Sequence, residues 1–176
     1  MRDLVYSVAT SLDGYIAGPN GEYDWIVMDP GYDWNAHYGQ FDTVLVGRRT
    51  YQVMRERGMS PQSMGMSAYV VSSTLKAEDH PEVTLISADL AGSVTTLKAQ
   101  PGKDIWLCGG GVLFRCLLDA GLVDAIDVAV EPVLLGSGVP LVPEGRRSQL
   151  KLVECQSRAM GLVTLKYEVL SATSPA

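Results

Sequence analysis

The sequence has few cysteines, no long apolar run and no surplus of positive charge, and each absence excludes a class of protein. Three widely spaced cysteines cannot build a disulfide framework or a Cys-x-x-Cys metal site, so we expect reduced, mostly buried thiols and no metal. No apolar run is long enough to span a bilayer, and an acidic N-terminus that leads into a strand pattern is unlike a signal peptide. We therefore expect a cytoplasmic protein without a membrane partner.

The net charge of −6 excludes a general nucleic-acid surface, which needs a basic stripe. An anionic ligand must therefore be met by local arginines, and these cluster at residues 48–57 and again at Arg146 and Arg147. The chain has 176 residues, of which 47% are hydrophobic, enough for one good core. We predict a single domain over residues 1–170 and a flexible tail over residues 171–176.

Three consecutive glycines, Gly109, Gly110 and Gly111, interrupt an apolar run that begins at residue 104 and resumes as an apolar, helix-like segment. This pattern predicts a strand, a tight turn and a helix. Glycines let another molecule approach the backbone closely, and the helix start directs unpaired N–H groups at that molecule. A phosphate is the favoured ligand, although glycines also serve plain turns.

Two other strand ends carry groups of the same kind. Residues 43–46 form a strand pattern followed by Gly47, Arg48, Arg49 and Thr50, and residues 68–71 form one that ends in Ser72 and Ser73. Strand and helix patterns alternate up to Gly121, and alternating runs at residues 124–130, 151–155 and 162–169 follow. This order predicts an α/β fold, with a mostly parallel, twisted sheet finished by an antiparallel C-terminal hairpin.

Ligands of such sheets lie outside the carboxyl ends of the strands, where these three segments converge. Backbone amides suit a pyrophosphate, whereas guanidinium and hydroxyl groups suit an additional 2′-phosphate. The sequence therefore predicts NADPH as cofactor.

The sequence also resembles a known family. Much of it is similar to the reductase domain of the bifunctional riboflavin-biosynthesis enzymes, and residues 46–51 resemble the cofactor segment of dihydrofolate reductase. The resemblance covers residues 4–169 and rests on the motifs Ser-Leu-Asp-Gly at 11–14, Trp-Ile at 25–26, Cys-Gly-Gly-Gly at 108–111, and residues 121–124 and 132–138. The Cys-x-x-Cys pair of the riboflavin deaminase is missing, which excludes that second activity.

This resemblance implies a dihydrofolate-reductase-like, three-layer α/β/α fold with about eight strands and an NADPH cofactor. The adenosine side would lie against Gly47, Arg48 or Arg49, and Thr50, with Ser72 and Ser73 near the 2′-phosphate. The pyrophosphate would lie against the glycine turn, which includes the flanking Cys108 and Val112. The nicotinamide would lie near Ala9 and Ile16, and Trp25 would contact the substrate or serve only as a core or lid aromatic.

The chemistry requires a hydride donor, an electrophilic C=N or C=O carbon and a proton. Three carboxylates are candidates for the substrate side. Asp33 stands where dihydrofolate reductase has its pterin-anchoring carboxylate, but it also suits a helix cap. Asp13 lies in a loop over the pocket, and Glu131 ends a strand before Pro132.

We therefore expect a reductase of a small heterocycle, similar to a pterin, to dihydrofolate or to a ribosylaminouracil. The alternatives are a reductase of unrelated carbonyl or imine compounds and a non-catalytic nucleotide-binding relative. The loop after Asp13 lacks cations before Arg48, which disfavours a substrate with a ribose phosphate. The relatives also imply a homodimer, joined through the apolar segment of residues 132–143 beside the hairpin.

Overall fold

The computed structural model describes residues 1–170, and the predicted tail of residues 171–176 lies outside them. Within these residues, ten strands and four α-helices follow one another, with short 3₁₀ turns at residues 61–64, 77–79 and 159–161. The elements are β1 (Leu4–Ser11), β2 (Tyr15–Ala17), α1 (Trp34–Gly39), β3 (Phe41–Gly47), α2 (Arg48–Glu56), β4 (Ser67–Val71), β5 (Thr84–Ile86), α3 (Leu90–Ala99), β6 (Asp104–Leu107), α4 (Gly111–Asp119), β7 (Ala125–Glu131), β8 (Val139–Pro140), β9 (Gln149–Ser157) and β10 (Val163–Leu170).

Eight strands form the main sheet in the order β5-β4-β3-β6-β1-β7-β10-β9. The strands from β5 to β7 pair in parallel, whereas β10 runs antiparallel to both β7 and β9. The predicted parallel sheet with a terminal antiparallel hairpin is therefore confirmed. Because β1 is central, its residues 4–7 are buried on both faces, as the apolar run of this strand predicts.

Each face of the sheet carries its own hydrophobic core, so the domain has three layers. On one face, the helices α3 and α4 pack Val94, Leu117 and Phe114 against β1, where the Phe114 ring stacks on Tyr6 with 3.8 Å between centroids. On the other face, α2 contributes Tyr51 and Met54 to a second core, and Tyr38 of α1 packs against it. Residue alternation along β1 decides which side chains meet each layer.

Two sequence expectations differ from the structure. The loop predicted over residues 10–21 contains β2, which pairs with β8 and joins this loop to the loop that follows β7. Pairs this short leave no periodic trace in a sequence. The expectation of mostly buried thiols is wrong, because Cys116 and Cys155 are exposed and only Cys108 is half-buried. Among residues 1–170, no helix is long and apolar enough to cross a membrane.

Candidate functional site

The predicted cofactor segments of β3 and β6 converge at the carboxyl edge of the sheet. The two strands are neighbours, and the turn after β6 meets the start of α2. A Cβ atom built on Gly109 would lie 3.5 Å from the Thr50 side chain, and one on Gly110 would lie 3.7 Å from Thr50 Oγ1. Both glycines have positive φ angles, of 69° and 83°, which side chains rarely adopt. The turn therefore presents its backbone beside Thr50.

Both helices at this edge begin without a side-chain cap. Gly47 occupies the cap position of α2 and Gly110 that of α4, and neither helix start receives a side-chain hydrogen bond. The first N–H groups of each helix are thus available to an anion, and the helix dipoles favour negative charge at the same place. Two such helix starts beside one glycine turn can hold a pyrophosphate.

A cleft of about 470 Å³ extends this edge beyond β4 and β5. Six of its ten lining residues have polar side chains, namely Arg48, Ser72, Ser73, Thr74, Ser87 and Asp89. Arg48 is exposed and donates a hydrogen bond to Gln52 on its own helix, at 3.2 Å. Ser72 is buried and its hydroxyl oxygen accepts from the N–H groups of Thr74 and Leu75, so it shapes the turn. The exposed Arg49 lies outside the lining of this cleft.

The residues that flank the glycine turn differ in exposure. Burial raises the pKa of the Cys108 thiol to about 12, so this thiol stays protonated and does not act as a nucleophile at neutral pH. Val112, in the first turn of α4, leaves 70% of its surface exposed. Gly111 has a packing role, since a Cβ atom there would lie 2.7 Å from the Pro140 carbonyl oxygen.

The residues predicted near the nicotinamide lie along β1 and the segment that follows it. Ala9 is half-buried and pairs in register with Ala129 of β7, so two small side chains meet at this point of the sheet. Ile16 is half-buried within β2. Trp25 is half-buried, and its indole N–H donates to the Glu22 carbonyl oxygen at 3.1 Å.

The three candidate carboxylates have different surroundings. Asp33 is exposed and caps α1 by accepting from the Ala36 N–H at 2.9 Å. Asp13 is exposed and joins two loops, because it accepts from the Ser11 hydroxyl and from the N–H groups of Leu135 and Gly136. The Ser11 hydrogen bond contributes most to lowering the Asp13 pKa. The structure therefore shows Asp13 and Asp33 already engaged in local structure.

Glu131 is the buried member of the three. It is 2% exposed, pairs in register with Ser11, and its Oε2 atom has no hydrogen-bond partner among residues 1–170. Burial raises the Glu131 pKa, and the backbone N–H of Val27 offsets part of this rise. A buried carboxyl with a free oxygen can bind a polar group of a ligand, and such perturbed groups concentrate at functional sites.

A polar cluster that the sequence did not indicate lies on the same face of the sheet as Glu131. The imidazole of His37 on α1 lies 3.2 Å from the Ser7 Oγ atom and 2.9 Å from the Tyr32 hydroxyl. The Asp127 carboxylate lies 3.9 Å from His37 Nδ1 and 3.9 Å from the Lys166 ammonium. Asp127 interrupts an otherwise apolar strand pattern, which is the one local signal that could have indicated the cluster.

Comparison with known proteins agrees with this fold. The chain matches the RibD C-terminal domain model over residues 2–164. It is 33% identical over 178 residues to the uncharacterized protein YyaP of Bacillus subtilis, with 94% of each chain covered. It superposes on a candidate riboflavin biosynthesis protein from Shewanella sp. PV-4 with a TM-score of 0.82 and 26% identity, covering 97% of this chain and all of the other.

A third comparison identifies the fold class. Dihydrofolate reductase from Enterococcus faecalis, solved with NADP(H), superposes with a TM-score of 0.70 at 18% identity, covering 96% of this chain and 97% of the reductase. The protein therefore has the dihydrofolate-reductase-like fold that its sequence predicts. Within that class, the chain belongs to the RibD C-terminal domain family, as the family match shows.

Proposed function

We propose that this protein is an NADPH-dependent reductase of a small heterocycle, of the pterin, dihydrofolate or ribosylaminouracil type. Its family and fold class are those of reductases. The observation that carries the proposal is the meeting of two uncapped helix starts at one glycine turn, next to a cleft lined by Arg48. We place the activity in the cytoplasm, since all three cysteines are free thiols.

The residues at the carboxyl edge fit the parts of NADPH. The N–H groups at the starts of α2 and α4 would hold the pyrophosphate, and Arg48 with Ser73 would bind the 2′-phosphate in the cleft. Ala9 and Ala129 leave room for a flat ring against the sheet. When bound, the cofactor would supply the hydride, and the protein would orient the substrate and exclude water.

Glu131 is our choice for the carboxyl that orients the substrate. Asp13 and Asp33 already accept hydrogen bonds from the backbone, whereas Glu131 Oε2 has no partner within the described part of the chain. The raised pKa of Glu131 favours the neutral carboxyl, which donates one hydrogen bond and accepts another. A heterocycle with adjacent N–H and C=O or ring-nitrogen groups suits such a partner.

Replacement of Arg48 by alanine tests the cofactor site. We expect Arg48→Ala to weaken NADPH binding by about 10- to 100-fold, since a charge-assisted hydrogen bond contributes about 1.5–3 kcal/mol. NADH binding, which involves no 2′-phosphate, should change little. Fluorescence titration of both nucleotides measures the effect, and Arg49→Ala provides a matched control because Arg49 lies outside the cleft lining. If the wild-type protein binds neither nucleotide, the reductase proposal is wrong.

We also propose that the protein is a homodimer. The C-terminal hairpin leaves β9 at the edge of the sheet, and its Leu150, Leu152 and Val153 are exposed. Leu134, in the apolar segment predicted to pair, is 69% exposed. We expect analytical ultracentrifugation at micromolar concentration to give twice the 19.0 kDa chain mass, and Val153→Lys to shift it towards the monomer. A monomeric wild-type mass would contradict this proposal.

A further inference from the structure

The polar cluster around His37 lies beside the small-residue floor against which we place the nicotinamide ring, and thus beside the substrate that would receive its hydride. Ser7 precedes Ala9 by two residues on β1, so both side chains lie on the same face, about 7 Å apart along the strand. Ser7 pairs in register with Asp127, as Ala9 does with Ala129. Ser7, His37 and Asp127 are nearly buried, which is costly for polar groups at the middle of a sheet and indicates a function.

Three of these groups form a continuous hydrogen-bonded chain. The Tyr32 hydroxyl lies 2.9 Å from His37 Nδ1, and His37 Nε2 lies 3.2 Å from Ser7 Oγ. Tyr32 is half-buried and forms the outer end, whereas Ser7 is 7% exposed and forms the inner end. The Asp127 carboxylate lies 3.9 Å from His37 Nδ1, which is too far for a direct hydrogen bond, so Asp127 packs beside the ring without joining the chain.

The protonation state of His37 suits proton transfer along this chain. Burial, with a smaller contribution from Lys166, lowers the His37 pKa to about 4, so the imidazole is neutral at pH 7. A neutral imidazole has one donor and one acceptor nitrogen, whereas an imidazolium would only donate at both ends. Other charged or titratable side chains pack around His37 and Tyr32. They are Asp127 on β7, Lys166 on β10, Glu154 on β9, Tyr38 on α1 and Arg158 before β10.

We propose that Tyr32, His37 and Ser7 form a proton relay that carries a proton from solvent to the substrate beside Ala9. The substrate nitrogen or oxygen becomes basic when its neighbouring carbon is reduced, and it takes the proton of the Ser7 hydroxyl. Ser7 is reprotonated from His37 Nε2, His37 Nδ1 takes the Tyr32 proton, and water reprotonates Tyr32. Asp127 acts as a positioning residue for His37. This inference rests on the proposed reductase function.

Nuclear magnetic resonance of the imidazole nitrogens tests the relay without any cofactor. The chain has only two histidines, His37 and His80, so His37→Gln assigns both sets of signals. We expect His37 to be neutral at pH 7, Tyr32→Phe to shift its Nδ1 signal, and Ser7→Ala to shift its Nε2 signal. The His80 signals should not move, because His80 bonds to Tyr51 and Arg55 on α2. A protonated His37 at pH 7, or signals unaffected by both variants, would overturn the relay.

Steady-state kinetics tests the role of the relay in catalysis, with a substrate that is first found by screening for NADPH oxidation. We expect Ser7→Ala to lower kcat about 100-fold with unchanged NADPH affinity, and Ser7→Thr to restore part of kcat because it retains a hydroxyl. The solvent deuterium isotope effect on kcat should change in Ser7→Ala and persist in Asn35→Ala, a control on the exposed side of α1. Full kcat in Ser7→Ala would overturn the relay alone, whereas a wild-type protein that fails to bind NADPH would overturn the reductase function as well.

Discussion

Gly47→Asp should stabilise the folded protein and greatly weaken NADPH binding. Gly47 caps α2 with φ −79° and ψ 159°, a conformation open to any residue, and a Cβ atom there would meet no atom within 4 Å. An aspartate would cap the helix and interact favourably with its dipole, which should raise the free energy of unfolding by about 0.3–1 kcal/mol. Its charge would stand where we place a phosphate, so NADPH affinity should fall by about 10²- to 10³-fold.

Gly47→Asn is the matched control for this prediction. Asparagine has nearly the shape of aspartate and provides the same cap hydrogen bond without the charge. We expect it to stabilise α2 comparably while losing far less NADPH affinity. Urea unfolding measures stability, and fluorescence titration measures binding. Equal NADPH affinity in the aspartate and asparagine variants would show that no phosphate lies at the start of α2.

Glu131→Gln should leave the cofactor site intact and remove most of the reductase activity. A glutamine fills the same space, but its amide N–H is a weaker hydrogen-bond donor than the O–H of the neutral carboxyl that orients the substrate in our proposal. We expect kcat/KM for the substrate to fall about 100-fold, with an unchanged dissociation constant for NADPH. Steady-state kinetics and nucleotide titration measure the two quantities separately. Glu56→Gln, an exposed change on α2, is the control and should alter neither.

The same variant has a predictable effect on stability. Because folding raises the Glu131 pKa, the wild type has the full contribution of this group below the unfolded pKa and loses it as the pH rises through the folded value. Glu131→Gln has no such loss, so it should be more stable than the wild type at pH 8, by about 1.4 kcal/mol for each unit of pKa shift. The difference should vanish near pH 4. A variant less stable at pH 8 would mean that the Glu131 charge is favourably paired.

Both site changes are thus expected to increase stability and reduce function. An uncapped helix start and a buried carboxyl with one oxygen unpartnered among residues 1–170 each violate a rule of stable folding, and such violations are often retained at functional sites. The His37 cluster is a third case, since it places polar groups where apolar ones would pack. Glu131 and the His37 cluster lie beside β1, at Ser11 and Ser7, whereas the helix start at Gly47 follows β3, which β6 separates from β1.

Local patterns in the sequence determined most of the fold. The glycines after β3 and β6, and the alternation in β9 and β10, predict those elements because backbone freedom and side-chain periodicity act over a few neighbouring residues. The helix-cap role considered for Asp33 is also a local feature, and in the structure the Asp33 side chain accepts a hydrogen bond from the Ala36 N–H. Family resemblance added the dihydrofolate-reductase-like fold and agreed with NADPH as the expected cofactor.

Only the tertiary structure decided which polar groups meet. Ser7, His37 and Asp127 come from β1, α1 and β7, and no local pattern brings their side chains together on one face of the sheet. The tertiary structure likewise buries Glu131 and leaves Asp13 exposed, although both are acids near loops in the sequence. Exposure and pKa depend on everything packed around a group, whereas the signals in a sequence describe neighbours along the chain.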